Sequence, residues 1–202
     1  NRGWGKYFYH VTVASRAREG SVVADLSVVV NGMKFPNPFV LGSGPPGTNG
    51  KVINKSFGLG WGGIVCKTIS LDNSKVHNTV PRYARLKSRT DKAVIGFENI
   101  ELISDKPFEA WLDELADCKA KYPDHMLIAS IMEEYNKDAW CEIVERTQET
   151  GVDGFELNFS CPHGSIFKDL IKVRWITHQF IISQSMIRKL LIKQLIKLIF
   201  CI

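Results

Sequence analysis

"GVDGFELNFSCPHG" occupies residues 151–164, and its reading decides the fold. A glycine closes one segment, an apolar run starts at Val152, and a loop opens at Ser160, Cys161 and Pro162. Such a run, bounded by turn residues, predicts a short buried strand. Just upstream, "NKDAWCEIVERTQETG" (136–151) places Trp140, Ile143 and Val144 on one helical face, with Asn136 as the cap and Gly151 as the stop. Before it, "HMLIASIM" (125–132) reads as another apolar strand. The central unit is therefore strand, helix, strand.

The same alternation extends toward the N-terminus. "SDKPFEAWLDELADCKAKYP" (104–123) carries Phe108, Trp111, Leu112 and Leu115 at helical spacing, with Ser104 or Asp105 able to cap. "WGGIVCKTIS" (61–70) is a buried strand, and "VINKSFGLG" (52–60) a short helix. "NPFVLGSGPPGTNG" (37–50) is a short strand entering a Gly/Pro loop, while residues 82–104 form a long polar stretch. Continuous apolar strands alternating with helices imply a parallel sheet covered by helices, an α/β protein. Ser43, Lys67, Thr68, Asn158, Ser160 and Cys161 all fall just after strands. That is the rim where a (β/α)₈ barrel assembles its site. The periodicities leave a barrel and a doubly wound sheet both open.

The composition, 45% hydrophobic over 202 residues, suffices for one core. The net charge of +5 is unevenly placed. Residues 165–202 hold seven Lys/Arg against Asp169 alone, so the first 164 residues sum to −1. Cys66, Cys118, Cys141, Cys161 and Cys201 lie far apart, without Cys-x-x-Cys or His partners at ligand spacing. This argues against a zinc site, an iron–sulfur cluster or a disulfide framework. Cys118 and Cys141 fit small hydrophobes on helices. No apolar run is long enough to span a bilayer. The chain opens on Asn1, and residues 1–24, with several Lys/Arg and Ser, have the composition of a transit-peptide remnant.

"NGMKFPNPFVLGSGPPGT", "CKTISLDNSKVHNTVPRYARL", "NIELIS", "IASIMEEYNKDAW" and "GVDGFELNFSCPHG" together resemble the FMN-containing barrel of the dihydropyrimidine dehydrogenases, most closely its plant members. The resemblance covers residues 25–164. Broader relatives are the dihydroorotate dehydrogenases, which share the strand-Lys-[Ser/Thr] and Asn-x-Ser-Cys-Pro patterns; "NIELIS" favours the pyrimidine-reducing branch. The resemblance implies the N-terminal half of a TIM (β/α)₈ barrel and reduction of uracil and thymine to 5,6-dihydropyrimidines with FMN and NADPH. It also implies plastid residence, with the cytoplasm as the alternative; a homo-oligomer is the expectation for a folded half-barrel. No nucleic acid, metal or iron–sulfur cluster is implied.

By the same resemblance Cys161 is the catalytic acid that protonates C5, and Asn99, Asn158 and Ser160 bind the pyrimidine. Ser43, Lys67 and Thr68 bind the flavin. The chemistry suits these assignments. A thiol with an ordinary pKa of about 8.5 is protonated at neutral pH and can donate. A carboxamide matches the alternating C=O and N–H of uracil. A lone loop thiol, a turn Asn or a surface Lys is by itself the commoner case, and Asn136, Arg82 and Arg85 are read so. Asn158 lies in a strand, where Asn is disfavoured.

From Ser165 the sequence changes character: ten Ile in 38 residues, with neither Gly nor Pro. Residues 165–202 match no motif of the resemblance and have the composition of translated intron or frame-shifted sequence. The alternative is a basic helix with Ile187, Leu190, Leu191, Leu195 and Leu198 on one face, suited to an anionic membrane surface. Half a barrel implies two open strand edges and an uncovered inner face. Three readings follow: a pyrimidine reductase, a dihydroorotate-type oxidoreductase, or a non-catalytic fragment with a membrane- or partner-binding tail.

Overall fold

The computed structural model describes residues 24–76, 80–99, 102–134 and 136–158, together with the backbone of two short strands beyond them. The first elements in chain order are β1 (Thr12–Val13), β2 (Val28–Val30), β3 (Met33–Phe35), β4 (Val40–Leu41), α1 (Gly50–Gly58) and β5 (Gly63–Val65). The hairpin strands β6 (Tyr83–Lys87) and β7 (Val94–Asn99) follow. Then come α2 (Phe108–Lys121), β8 (Met126–Ile131), α3 (Lys137–Gln148), β9 (Gly154–Leu157) and β10 (Phe180–Ser183).

The main sheet has the order β10-β9-β8-β5-β4, with β4, β5, β8 and β9 parallel. Each parallel strand adds beside its predecessor, without the reversal of a doubly wound sheet. The four parallel strands are thus a section of barrel wall. Helices cover one face. Phe108, Trp111, Leu115 and Cys118 of α2, and Trp140, Ile143 and Val144 of α3, are buried against Leu127, Ala129, Ile131, Phe155 and Leu157. The alternate residues face the barrel interior. There Val65, Met126 and Ile128 pack on Val28, Met33 and Phe35 of the β2–β3 hairpin. A Cβ on Gly63 would meet the Phe35 ring at 2.9 Å, so glycine lets the hairpin seat.

Five sequence expectations are modified. The lower interior is not open, because the β2–β3 hairpin plugs it. One edge of the wall is paired: β10 lies antiparallel to β9, with Phe180 opposite Leu157 and Ser183 opposite Gly154. Over these four residues the tail, expected to be helical, is a strand, whereas the rest of it lies outside the described residues. The polar stretch at 82–104 contains the β6–β7 hairpin. Neither Ser104 nor Asp105 caps α2, whose N-cap is Pro107, with no side-chain bond. Ser104 instead accepts from the Trp111 indole at 2.8 Å, and Asp105 pairs with Arg82 at 3.1 Å. Satisfying a buried indole N–H takes precedence over a cap that water can replace. Asn136 does cap α3, accepting from the Asp138 and Ala139 amides at 3.0 and 3.3 Å.

Candidate active site

Above the apolar plug, the interior of the wall turns polar at the carboxyl ends of the strands. Thr68, beyond β5, is the hub. Its Oγ1 lies 2.7 Å from Ser130 Oγ of β8 and 3.3 Å from Ser43 Oγ beyond β4. It also accepts from Asn158 Nδ2, beyond β9, at 3.0 Å. Ser130 in turn donates to Glu156 Oε1 at 2.7 Å. Four adjacent strands thus each send at least one residue into a continuous hydrogen-bonded layer. Thr68, Ser130, Glu156 and Asn158 are all buried.

The loop after β4 is held against the wall by backbone. Lys67 N–H donates to Gly47 C=O at 2.8 Å, and a Cβ on Gly47 would sit 2.8 Å from Val65 O. Only glycine allows this approach, which carries Ser43 to Thr68. Lys67 is 8% exposed and directly precedes Thr68 in the chain. A lysine that far from water in a polar layer is not the ordinary surface lysine at a strand end.

Burial pushes the Glu156 carboxyl above the usual carboxylate range, and the Ser130 hydrogen bond pulls it partly back. Glu133, after β8, is likewise raised by burial, although its carboxylate accepts from the Leu71 amide at 2.5 Å and the Glu134 amide at 3.3 Å. Burial pushes the Cys66 thiol up to about 12, so it is neither an acid nor a nucleophile at neutral pH.

Of the residues singled out in the sequence, Ser43, Thr68 and Asn158 are joined directly, and Lys67 lies at the same rim. Asn99 is placed elsewhere: exposed at the end of β7, it lines a cavity of about 340 Å³ with Tyr83, Arg85 and Phe97. Ser160 and Cys161 lie outside the described residues. Ser130, Glu156 and Glu133 were not anticipated. The signal for Glu156 was present, a lone charge within the buried strand "GFEL".

The residues fit the ring end of a flavin. Ser70 Oγ, two residues past Thr68, is buried with no hydrogen-bond partner, and the space beyond the Gly42 Cα is open. The donor set of ammonium, hydroxyls and carboxamide suits a polar heterocycle. Among the described residues, no cluster of His, Cys, Asp and Glu is arranged to hold a metal ion.

Comparison with known proteins agrees with this architecture. The dihydropyrimidine dehydrogenase (NADP(+)), chloroplastic, of Arabidopsis thaliana is 59% identical over 144 residues, covering 69% of this chain and 34% of that protein. The NAD-dependent dihydropyrimidine dehydrogenase subunit PreA of Escherichia coli K12 is 45% identical over 139 residues, 68% of this chain and 33% of that one. A dihydroorotate dehydrogenase B (NAD(+)) catalytic subunit of Thermoplasma volcanium is 28% identical over 144 residues, 70% and 43% of the two chains. The chain thus spans 34% and 33% of the first two relatives. The sequence model of the family described as dihydroorotate dehydrogenase matches residues 25–198, and the chain belongs to that family.

Proposed function

We propose that the protein is a flavin-dependent oxidoreductase that reduces uracil and thymine to 5,6-dihydropyrimidines with NADPH, in a plastid. The observation that carries this reading is the buried polar layer at the strand ends, where Ser43, Thr68 and Asn158 meet beside Lys67. The names of the Arabidopsis and E. coli relatives support the substrate class, and "chloroplastic" supports the compartment.

Bound FMN supplies the hydride chemistry. Lys67 places a positive charge where negative charge on the flavin ring is stabilised. Ser43 and the open loop at Gly42 bring oxygen and backbone to the ring. Asn158, held by Thr68, meets the pyrimidine edge, and a site of such fixed amides rejects rings that leave them unmatched. Ser160 adds a further contact to the base. Cys161 donates its proton to C5 of the pyrimidine, as a thiol with an ordinary pKa can at neutral pH.

The test is to incubate the full chain with FMN, separate it by gel filtration, and follow the flavin spectrum under NADPH and then uracil. Co-eluting flavin that NADPH bleaches and uracil restores supports the reading, with Cys161→Ala abolishing the restoration. Flavin reduced by dihydroorotate but not reoxidised by uracil moves the protein to the other substrate. Absence of bound flavin overturns the redox reading for this chain.

A further inference from the structure

The hydrogen-bonded layer has a direction. Each hydroxyl carries a single proton. Ser130 gives its proton to Glu156 Oε1 at 2.7 Å, so in the 2.7 Å contact between Ser130 and Thr68 it is Thr68 that donates. Thr68 is then an acceptor toward the site. It receives the Asn158 amide at 3.0 Å and the Ser43 hydroxyl at 3.3 Å. A carboxylate, which only accepts, is the one ending that forces this order.

We infer that Glu156 is a positioning residue: its carboxylate orients the Ser130 and Thr68 hydroxyls inward and so holds the Asn158 carboxamide with its NH₂ toward Thr68. The carbonyl end of Asn158 is thereby turned away from Thr68. Protonation of Glu156, or replacement by Gln, makes a donor available at the buried end. The chain then reverses: Ser130 donates to Thr68, and Thr68 donates outward. The consequence for pyrimidine selectivity rests on the function proposed above, whereas the orientation itself does not.

Among the described residues, burial and the Ser130 hydrogen bond set the proton affinity of Glu156. Burial pushes its pKa up, and the Ser130 hydrogen bond pulls it partly back. Cys66, just after β5, stays a thiol at neutral pH, with its pKa pushed to about 12. Lys67 follows Cys66 and Glu133 lies two residues beyond β8, and both are buried.

The experiment is an NMR pH titration of the unliganded full chain, following the Glu156 carboxyl carbon and the Asn158 side-chain amide together. The expected result is a shared transition in both signals. Ser130→Ala removes the transition from Asn158 while Glu156 still titrates. Glu156→Gln, which keeps the shape, removes it as well and shifts the Asn158 amide at neutral pH relative to wild type. Because Glu133 is intact in Glu156→Gln, a transition that persists there belongs to Glu133 and overturns the inference. An Asn158 amide that is unmoved through the Glu156 transition, or by Glu156→Gln at neutral pH, overturns it too. Neither flavin nor pyrimidine is added, so failure of the flavin reading leaves this result standing.

Discussion

Replacing Ser130 with Ala deletes one hydroxyl that serves two neighbours. The bond to neutral Thr68 at 2.7 Å is worth about 1 kcal/mol. The bond to Glu156, also at 2.7 Å, is worth more while that carboxyl is charged, because a buried charge stripped of its donor costs about 1–3 kcal/mol or above. Glu156 escapes this cost by keeping its proton. Its folded pKa is already raised by burial, and Ser130 is the group that lowers it, so the variant carries a larger rise. A carboxyl with a raised folded pKa binds its proton more tightly in the folded chain. Its stabilisation is full below the unfolded pKa and is lost as the pH climbs through the folded value. With the larger rise, Ser130→Ala loses more over the same climb. The destabilisation relative to wild type is expected at about 1 kcal/mol near pH 4, below the ordinary carboxyl value of 4.5, growing to roughly 3 kcal/mol near pH 8. Urea denaturation of both chains at the two pH values measures it. In a Glu156→Gln background the penalty should be flat with pH. A wild-type-background penalty that is equal at both pH values, or smaller at the higher one, refutes the reasoning.

Three further outcomes are expected. Gly47→Ala puts a methyl 2.8 Å from Val65 O and 3.1 Å from Cys66 Cα and Lys67 N. All of these are backbone atoms, and the overpacking should cost about 1–3 kcal/mol in urea denaturation. Asn136→Ala removes the cap of α3 and should cost about 1 kcal/mol, with a lower melting temperature on circular dichroism. Mass spectrometry after iodoacetamide treatment of the native chain near pH 8 should find Cys66 and Cys118 unmodified. Their thiols are buried and raised to about 12 and about 11, whereas the partly exposed Cys141 reacts.

Several elements were legible in the sequence because each rests on local chemistry. The 3.6-residue spacing of Trp140, Ile143 and Val144 behind Asn136 specifies α3 and its buried face. The apolar run at Met126–Ile131 specifies a strand buried on both sides. The β6–β7 hairpin was not legible: Tyr83, Ile95 and Phe97 are exposed, so no burial pattern marks the strands. The cap of α2 is not legible because Ser104 has two uses, and only the position of the Trp111 indole selects between them.

The site divides along the same line. Residue type and position after strands single out Ser43, Lys67, Thr68 and Asn158, since polar side chains gather where apolar strands end. The sequence by itself determined the alternation of strand and helix and which strand ends are polar, because both are written in short-range periodicity. Only the tertiary structure decided that Ser130 and Glu156 join them. Their contacts run between neighbouring strands, across 62 residues to Thr68 and 26 to each other. It also decided that the β2–β3 hairpin closes the interior below and that Asn99 stands apart on the hairpin. Such placements depend on strand order and register, and these are set by packing across the sheet rather than by any one segment.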